Sequence, residues 1–180
     1  KKIHRVCRLL IGMHRPPEDI IRSLYSNLKN NLTDSEDVKR YKRQIAAEFR
    51  KQLTVGIPSK ADETTLRKLS AQLKNGKVVV KLYLKEPLHA KLYLAHRPAD
   101  NFSSIQAIMG SSNLTYSGLT GQGELNAEFG DSDSAEKLAN WFNDRWEDRL
   151  CIDISAELID IIDDSWASDK SIPPYYIYLK

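Results

Sequence analysis

A chain of 180 residues is long enough to close one hydrophobic core and fits a single α/β domain. Hydrophobic residues at 41% and charged residues at 28% are the balance of a soluble globular protein, which excludes a disordered or fibrous chain. No apolar run approaches the roughly 20 residues needed to span a bilayer, and no signal peptide is evident. Cys7 and Cys151 have neither metal-ligand spacing nor the partners of a disulfide framework, so a reduced, cytoplasmic setting is expected. The net charge of +3 hides an asymmetry: residues 1–91 hold 21 Lys+Arg against 9 Asp+Glu, and residues 92–180 hold 6 against 15. A basic half of this kind attracts a polyanion such as DNA or RNA. Two solvated faces that differ in charge are the plainer alternative.

In chain order, His4 to Gly12 alternates and reads as a strand. Pro16-Pro17-Glu18-Asp19 opens a helix, with proline in the first turn and acids at the positive end of the dipole. Ile20, Ile21, Leu24, Tyr25 and Leu28 fall on one face of it, and Asn30-Asn31 ends it. A second helix covers Glu36 to Leu53, with Val38, Tyr41, Ile45, Phe49 and Leu53 as its apolar stripe. Lys39, Arg40, Lys42, Arg43, Arg50 and Lys51 occupy the rest of that helix. They read either as an ordinary solvated face or as a ridge contacting phosphates, with Arg40 and Arg43 as its nucleic-acid-binding residues.

Gly56-Ile57-Pro58 breaks the chain, and a third helix follows from about Asp62 to Lys74, stopped by Asn75-Gly76. Strands are expected at Val78–Leu84, His89–Ala95, Ser104–Gly110 and Glu124–Phe129, and helices at Ser134–Arg149 and Ser155–Ser168. Strands alternating with helices predict a mixed sheet flanked by helices. The first residues already read as a strand and the tail from Ile172 is aromatic and proline-bearing. Residues 1–170 are therefore expected to form one domain excised from a longer chain, with 171–180 beginning a linker.

Three short elements carry chemistry. His89 and Lys91, two apart in a strand, point to one face. An ammonium there neutralises phosphate oxygens, and an imidazole attacks phosphorus or hands over a proton. Gly110-Ser111-Ser112-Asn113 follows the next strand. Its glycine admits close backbone approach, and the Ser111 hydroxyl, the loop N–H groups and the Asn113 amide bond phosphate oxygens, so Gly110 and Ser112 join the nucleic-acid-binding set. In Glu124-Leu125-Asn126-Ala127-Glu128 the residues Glu124, Asn126 and Glu128 share a strand face. A carboxylate there orients a catalytic imidazole, as the third member of a triad does. Taken singly, each element also reads as something ordinary: a chance His-x-Lys, a Gly-Ser turn, an acidic surface strand.

In this order the elements resemble the phospholipase D superfamily, whose motif is His-x-Lys, then Gly-Ser-x-Asn, then an acidic residue. The matching segments are Leu88-His89-Ala90-Lys91-Leu92-Tyr93, Ile108 to Thr115, and Asn126-Ala127-Glu128. The resemblance is specific over about residues 78–130. Tyr116-Ser117-Gly118-Leu119, Glu124-Leu125-Asn126 and Arg145-Trp146-Glu147 look like the phospholipase D-like domains that precede DEAD/DEAH-type helicase cores in bacterial proteins. The motif occurs once. Where many members carry an Asp five residues after the Lys, this chain has His96.

The resemblance implies a phospholipase D-like α/β fold and a phosphodiesterase that needs neither metal nor other cofactor. His89 attacks phosphorus, a second histidine protonates the leaving oxygen, and Lys91, Ser111 and Asn113 steady the charge, with Glu128 as the acidic partner. Of the other histidines, His4 and His14 lie outside the motif. His96 is seven residues from His89, which on a regular strand places it on the opposite face and about 20 Å away. A homodimer that brings two His89 residues together is therefore expected. Expected partners are DNA or RNA and a helicase domain in the same polypeptide, with no membrane. The alternative function is a non-cleaving module that grips a backbone phosphate for the helicase, and a lipid phosphodiesterase is the third reading.

Overall fold

The computed structural model describes residues 6–13, 18, 36–53, 59–97, 104–112 and 123–167. Its strands are β1 (Cys7–Gly12), β2 (Val78–Tyr83), β3 (Leu92–His96), β4 (Ile105–Gly110), β5 (Asn126–Phe129) and β6 (Cys151–Asp153). Its helices are α1 (Glu36–Leu53), α2 (Lys60–Lys74), α3 (Ser132–Trp146) and α4 (Ser155–Asp163). The helix expected after Pro16 lies, save Glu18, outside the described residues, as do the start of the first strand at His4 and the segment 171–180.

The expected α/β character holds, but the described strands form two three-stranded sheets, β1-β2-β6 and β3-β4-β5, where one mixed sheet was expected. A local cause lies between β2 and β3. Pro87 has no N–H to give a ladder, and Lys85 and Glu86 are tied to Asp148 and Arg145. The strand that starts at Val78 therefore stops, and the next begins at Leu92, three residues later than expected. β6 was not foreseen at all, because three residues are too few to show a period.

The chain divides into two compact units, residues 1–11, 17–82 and 152–180 in the first and 12–16 and 83–151 in the second. In the first, the β-branched run Val78-Val79-Val80 favours the extended chain of β2. Val80, Leu82, Ile154, Leu158, Ile161 and Ile162 are buried there. The Val80 carbonyl accepts from Ile154 N–H at 3.0 Å, and Val80 N–H donates to Ser155 Oγ at 2.9 Å. Ser70 is buried and donates to Asp163 Oδ1 at 2.9 Å, while Lys74 meets Asp163 Oδ2 at 2.6 Å, joining α2 to α4.

Helix α2 starts at Lys60 rather than Asp62 because Ser59 and Asp62 form a capping box, with Asp62 N–H donating to Ser59 Oγ and Ser59 N–H to Asp62 Oδ2. These hydrogen bonds hold the Asp62 carboxyl below its usual pKa. Asp131 caps α3 in the same way, accepting from Ser134 N–H at 2.7 Å. That places its start two residues before the expected Ser134, and it ends at Trp146 rather than Arg149. Helix α4 ends at Asp163 rather than Ser168.

In the second unit, α3 lies against β4. Ala107 of the strand and Ala135 and Ala139 of the helix are all buried, small side chains that let helix and sheet approach closely. Beyond them Trp146 stacks on Phe142 at 5.7 Å between centroids. The Arg145 guanidinium lies 3.8 Å from the Trp141 ring centre and reaches Glu86 Oε1 at 3.4 Å. Tyr83 OH also donates to Glu86, at 3.2 Å. Burial, then the Glu86 carboxylate, pushes the Tyr83 phenol above its ordinary pKa.

Asp148 accepts from Lys85 Nζ at 2.9 Å and from Leu150 N–H at 2.8 Å. Burial pushes the Asp148 carboxyl up, but these two bonds and the nearby Lys85 and Arg145 charges outweigh it and hold the carboxyl below its usual range. A carboxyl lowered on folding stabilises the fold above its unfolded pKa of about 4, and that stability is lost as pH falls through the lower folded value. Asp148→Ala is expected to cost about 1 kcal/mol near neutrality, since half-exposed Lys85 is screened by water and the Leu150 N–H loses its partner. Urea denaturation of both proteins at pH 7 and near pH 2 checks this; a gap that widens in acid contradicts it.

Candidate active site

The site grows from the register of one sheet. β3 and β4 pair antiparallel with Leu92 opposite Met109 and Tyr93 opposite Ile108. β4 and β5 pair antiparallel with Gly110 opposite Asn126 and Ile108 opposite Glu128. Gly110 N–H donates to the Lys91 carbonyl at 3.3 Å, so Lys91, Gly110 and Asn126 form one row across the sheet. Alternation then gives Lys91, Tyr93, Gln106, Ile108, Gly110, Asn126 and Glu128 a common face. Ala107, fully buried where α3 meets β4, belongs to the other face. His96 also belongs to that other face, opposite Ile105 at the end of β3.

His89 lies just before β3, not inside it, because regular pairing on this side stops at the Lys91–Gly110 row. Its imidazole is exposed and its neighbour is Lys91, whose Nζ lies 2.6 Å from His89 Nε2 and 3.2 Å from Nδ1. An ammonium offers only donors, and here it stands within reach of both ring nitrogens. The two motif residues expected to share a face are thus in contact.

What holds His89 in place was not legible from the motif. Leu88 N–H donates to the Met13 carbonyl at 3.0 Å, and Leu88 rests on Gly12. A Cβ built on Gly12 would stand 2.2 Å from the Leu88 carbonyl oxygen. Gly12 is therefore required for the chain to bring Leu88, and the histidine after it, to this position. A repeated apolar-then-glycine strand end is the only sequence signal of this, and it is a weak one.

The Gly-Ser loop is fixed from several sides. A Cβ on Gly110 would lie 2.3 Å from both the Leu125 carbonyl and Asn126 Oδ1. Ser111 N–H donates to the Leu125 carbonyl at 3.0 Å, and Ser111 Oγ accepts from Leu125 N–H at 3.0 Å. The Ser111 hydroxyl donates to Glu124 Oε2.

Ser112, expected at the phosphate surface, is only 4% exposed. Its hydroxyl accepts from Asn126 Nδ2 at 2.7 Å, its N–H donates to Asn126 Oδ1 at 3.4 Å, and its carbonyl accepts from Tyr93 OH at 2.9 Å. Expected as a phosphate contact, Ser112 has those groups engaged inward and anchors the loop. Asn126, named in the acidic strand for its face, and Tyr93 make the contacts that hold this loop, which the motif did not foretell.

Glu128 lies on the open face, one row from Lys91, and accepts from Gln106, which in turn accepts from Arg97. The structure thus pairs Glu128 with Gln106 and the His89 ring with Lys91. Asn113, the last residue of the motif, lies outside the described residues, as do His4 and His14. Arg40 and Arg43 sit on α1 in the first unit, both exposed, and Arg43 Nη2 stands 3.8 Å from Glu36 Oε2. Among the described residues no three His, Cys, Asp or Glu side chains gather as a metal site.

An imidazole, an adjacent ammonium and a glycine-led loop on one face suit a tetrahedral anion at phosphorus. A family model described as cardiolipin synthase, PLD-like domain, matches residues 7–146. The chain belongs to this family of phospholipase D-like domains. Comparisons with curated proteins and with solved structures found no match. Membership gives the chain phosphodiester-related chemistry at the level of the superfamily.

The Gly12–Leu88 contact yields a test. Gly12→Ala is expected to cost about 1–3 kcal/mol in urea denaturation by overpacking. It should also lower phosphodiester turnover by more than the loss of folded protein, because Leu88 and His89 shift together. Gly130→Ala, with nothing within 4 Å of its Cβ, is the control and should leave both unchanged. Equal behaviour of the two variants would contradict the assignment.

Proposed function

We propose that this domain cleaves the phosphodiester backbone of DNA or RNA through a phosphohistidine at His89, without metal or other cofactor, as the nuclease-like module of a helicase-containing polypeptide. The observation that carries the reading is the His89–Lys91 contact, 2.6 Å from Nζ to Nε2, beside the clamped Gly110 loop. Substrate phosphate draws the Lys91 ammonium onto its non-bridging oxygens and frees the ring nitrogen to attack in line. The P–N bond forms as the P–O bond to the leaving oxygen breaks. Water then breaks the P–N bond and leaves the cleaved phosphate. Asn113, by its place in the motif, adds amide donors to the same oxygens.

The leaving oxygen must gain a proton as the bond breaks. Lys91 is engaged with the non-bridging oxygens of the phosphate, so its protons are committed there. His96 is on the other face of the sheet. A second His89 from a two-fold partner meets the need, which makes the active species a homodimer with one site across its axis. Glu128 carboxylates from both copies offset the doubled lysine charge.

Nucleic acid is favoured over lipid by the charge of this chain, 21 Lys+Arg against 9 Asp+Glu in residues 1–91, with Arg40 and Arg43 on α1 as phosphate contacts. The family description names a cardiolipin synthase. Among the described residues no helix is long and apolar enough to cross a membrane.

The test is turnover of bis(p-nitrophenyl) phosphate and of labelled oligonucleotides in EDTA. Turnover is expected to survive chelation and to vanish in His89→Ala. Mixed dimers of wild type and His89→Ala should be nearly inactive rather than half active. Activity abolished by EDTA and restored by magnesium overturns the mechanism. Oligonucleotide binding without cleavage in the intact dimer gives the non-cleaving phosphate-binding reading instead.

A further inference from the structure

Arg97 is a cation on the site's own sheet face that the mechanism above leaves unused. It follows β3 directly, and its backbone N–H donates to the Ser104 carbonyl at 2.8 Å, so the ladder continues past His96. Counting by twos from Lys91 through Tyr93 and Ala95 therefore gives Arg97 the same face. Six residues of extended chain separate the two cations, about 20 Å. The Arg97 side chain is exposed and donates to Gln106 Oε1, and Gln106 Nε2 donates to Glu128 Oε1. A guanidinium only donates and an ionised carboxylate only accepts, which fixes the orientation of the amide between them. Gln106 thereby stands between two groups that would otherwise pair. Among the described residues no carboxylate meets Arg97, so its charge is aimed without being neutralised, and further N–H donors of the fork are left over.

We propose that Arg97 is a second phosphate site, and that the substrate is a nucleic-acid strand laid along β3 from Lys91 to Arg97. The proposal rests on the phosphodiester reading of the site and deepens it, by making the substrate a polymer several nucleotides long. A small diester or a single lipid headgroup carries its charge at one point and cannot bridge about 20 Å. A nucleic-acid strand, with a charge about every 3.4 Å of duplex axis, bridges it with several nucleotides. Between the two cations lie Tyr93, Ala95 and Ile108, uncharged ring and aliphatic surface on which sugars and bases can rest. Glu128 stands two strands from β3, on β5, where its charge repels a backbone that strays from that line.

The gain in affinity with strand length should therefore depend on Arg97. A long oligonucleotide should bind far more tightly than a dinucleotide, which reaches Lys91 alone. Arg97→Ala should reduce that advantage about tenfold and lower the slope of log affinity against log salt by about one, the loss of one phosphate contact. Arg97→Lys, which keeps the charge, should restore most of the advantage. Arg149→Ala removes the same charge from an exposed position off this sheet, so there the length advantage should persist.

The experiment is fluorescence anisotropy of end-labelled DNA and RNA oligonucleotides, from a dinucleotide to about twelve nucleotides, titrated with the full chain in EDTA over a range of salt. The chain carries His89→Ala so that strands stay whole, alone or with Arg97→Ala, Arg97→Lys or Arg149→Ala. Thermal melts accompany it, so that loss of fold is read separately. A length advantage lost in Arg97→Ala, restored by lysine and kept in Arg149→Ala upholds the proposal. Equal losses for short and long strands, Arg97→Ala behaving like Arg149→Ala, a lysine variant as weak as the alanine one, or no gain with length before Arg97 is changed overturns it. Cleavage of the same oligonucleotides and of bis(p-nitrophenyl) phosphate by the chain with His89 intact reports on the catalytic reading by itself. Strands that bind by length through Arg97 and are never cut uphold the subsite and end the nuclease reading; diester turnover with no gain from length does the reverse.

Discussion

The Lys91–Gly110–Asn126 row of the second sheet is the constraint on which the site depends. One backbone bond, Gly110 N–H to the Lys91 carbonyl, brings the His-x-Lys element beside the Gly-Ser loop, although 18 residues separate Lys91 from Gly110 in sequence. A slip of β3 by one residue against β4 would turn Lys91 to the face that α3 covers and away from Gly110. Gly110 also admits no side chain, since Asn126 and the Leu125 carbonyl fill the space a Cβ would need. The His89–Lys91 pair, the loop and the acidic strand are therefore set by one register.

The rest of the unit serves that register. Ala107, Ala135 and Ala139 seat α3 against the back of β4. Arg145, laid over Trp141, holds Glu86, and Lys85 holds Asp148. These contacts fix the segment that leads to Leu88, and Gly12 lets Leu88 settle. His89 itself is left exposed and bonded only to its motif partner among the contacts described. An exposed imidazole on a braced backbone is what the proposed attack on phosphorus calls for: little backbone reorganisation, and open access for a large substrate.

Much of this was legible in the residues. Val78-Val79-Val80 announced β2 and the stripe at Val38, Tyr41 and Ile45 announced α1, whereas His89 and Lys91, expected inside one strand, meet just before β3. What was not legible was long-range or too short to have a period. Nothing local tells a serine in a turn whether to face solvent or the sheet, and only the Asn126 amide and Tyr93 hydroxyl decide it for Ser112. Glycine at position 12 looks like any strand end until Leu88 is placed against it. β6 is three residues long and β3 starts late because pairing, not composition, bounds it. The capping pairs Ser59–Asp62 and Asp131–Ser134 were present in the sequence and would have given the helix starts to the residue.

The central claim is that His89 carries the reaction covalently. Quenching the enzyme in base during turnover of a labelled diester and mapping the label by mass spectrometry tests it most directly, because a phosphorus–nitrogen bond survives base and breaks in acid. The account predicts an acid-labile adduct on the peptide bearing His89, absent in His89→Ala. Steady turnover with no adduct at His89, or with the label on another side chain, would contradict it.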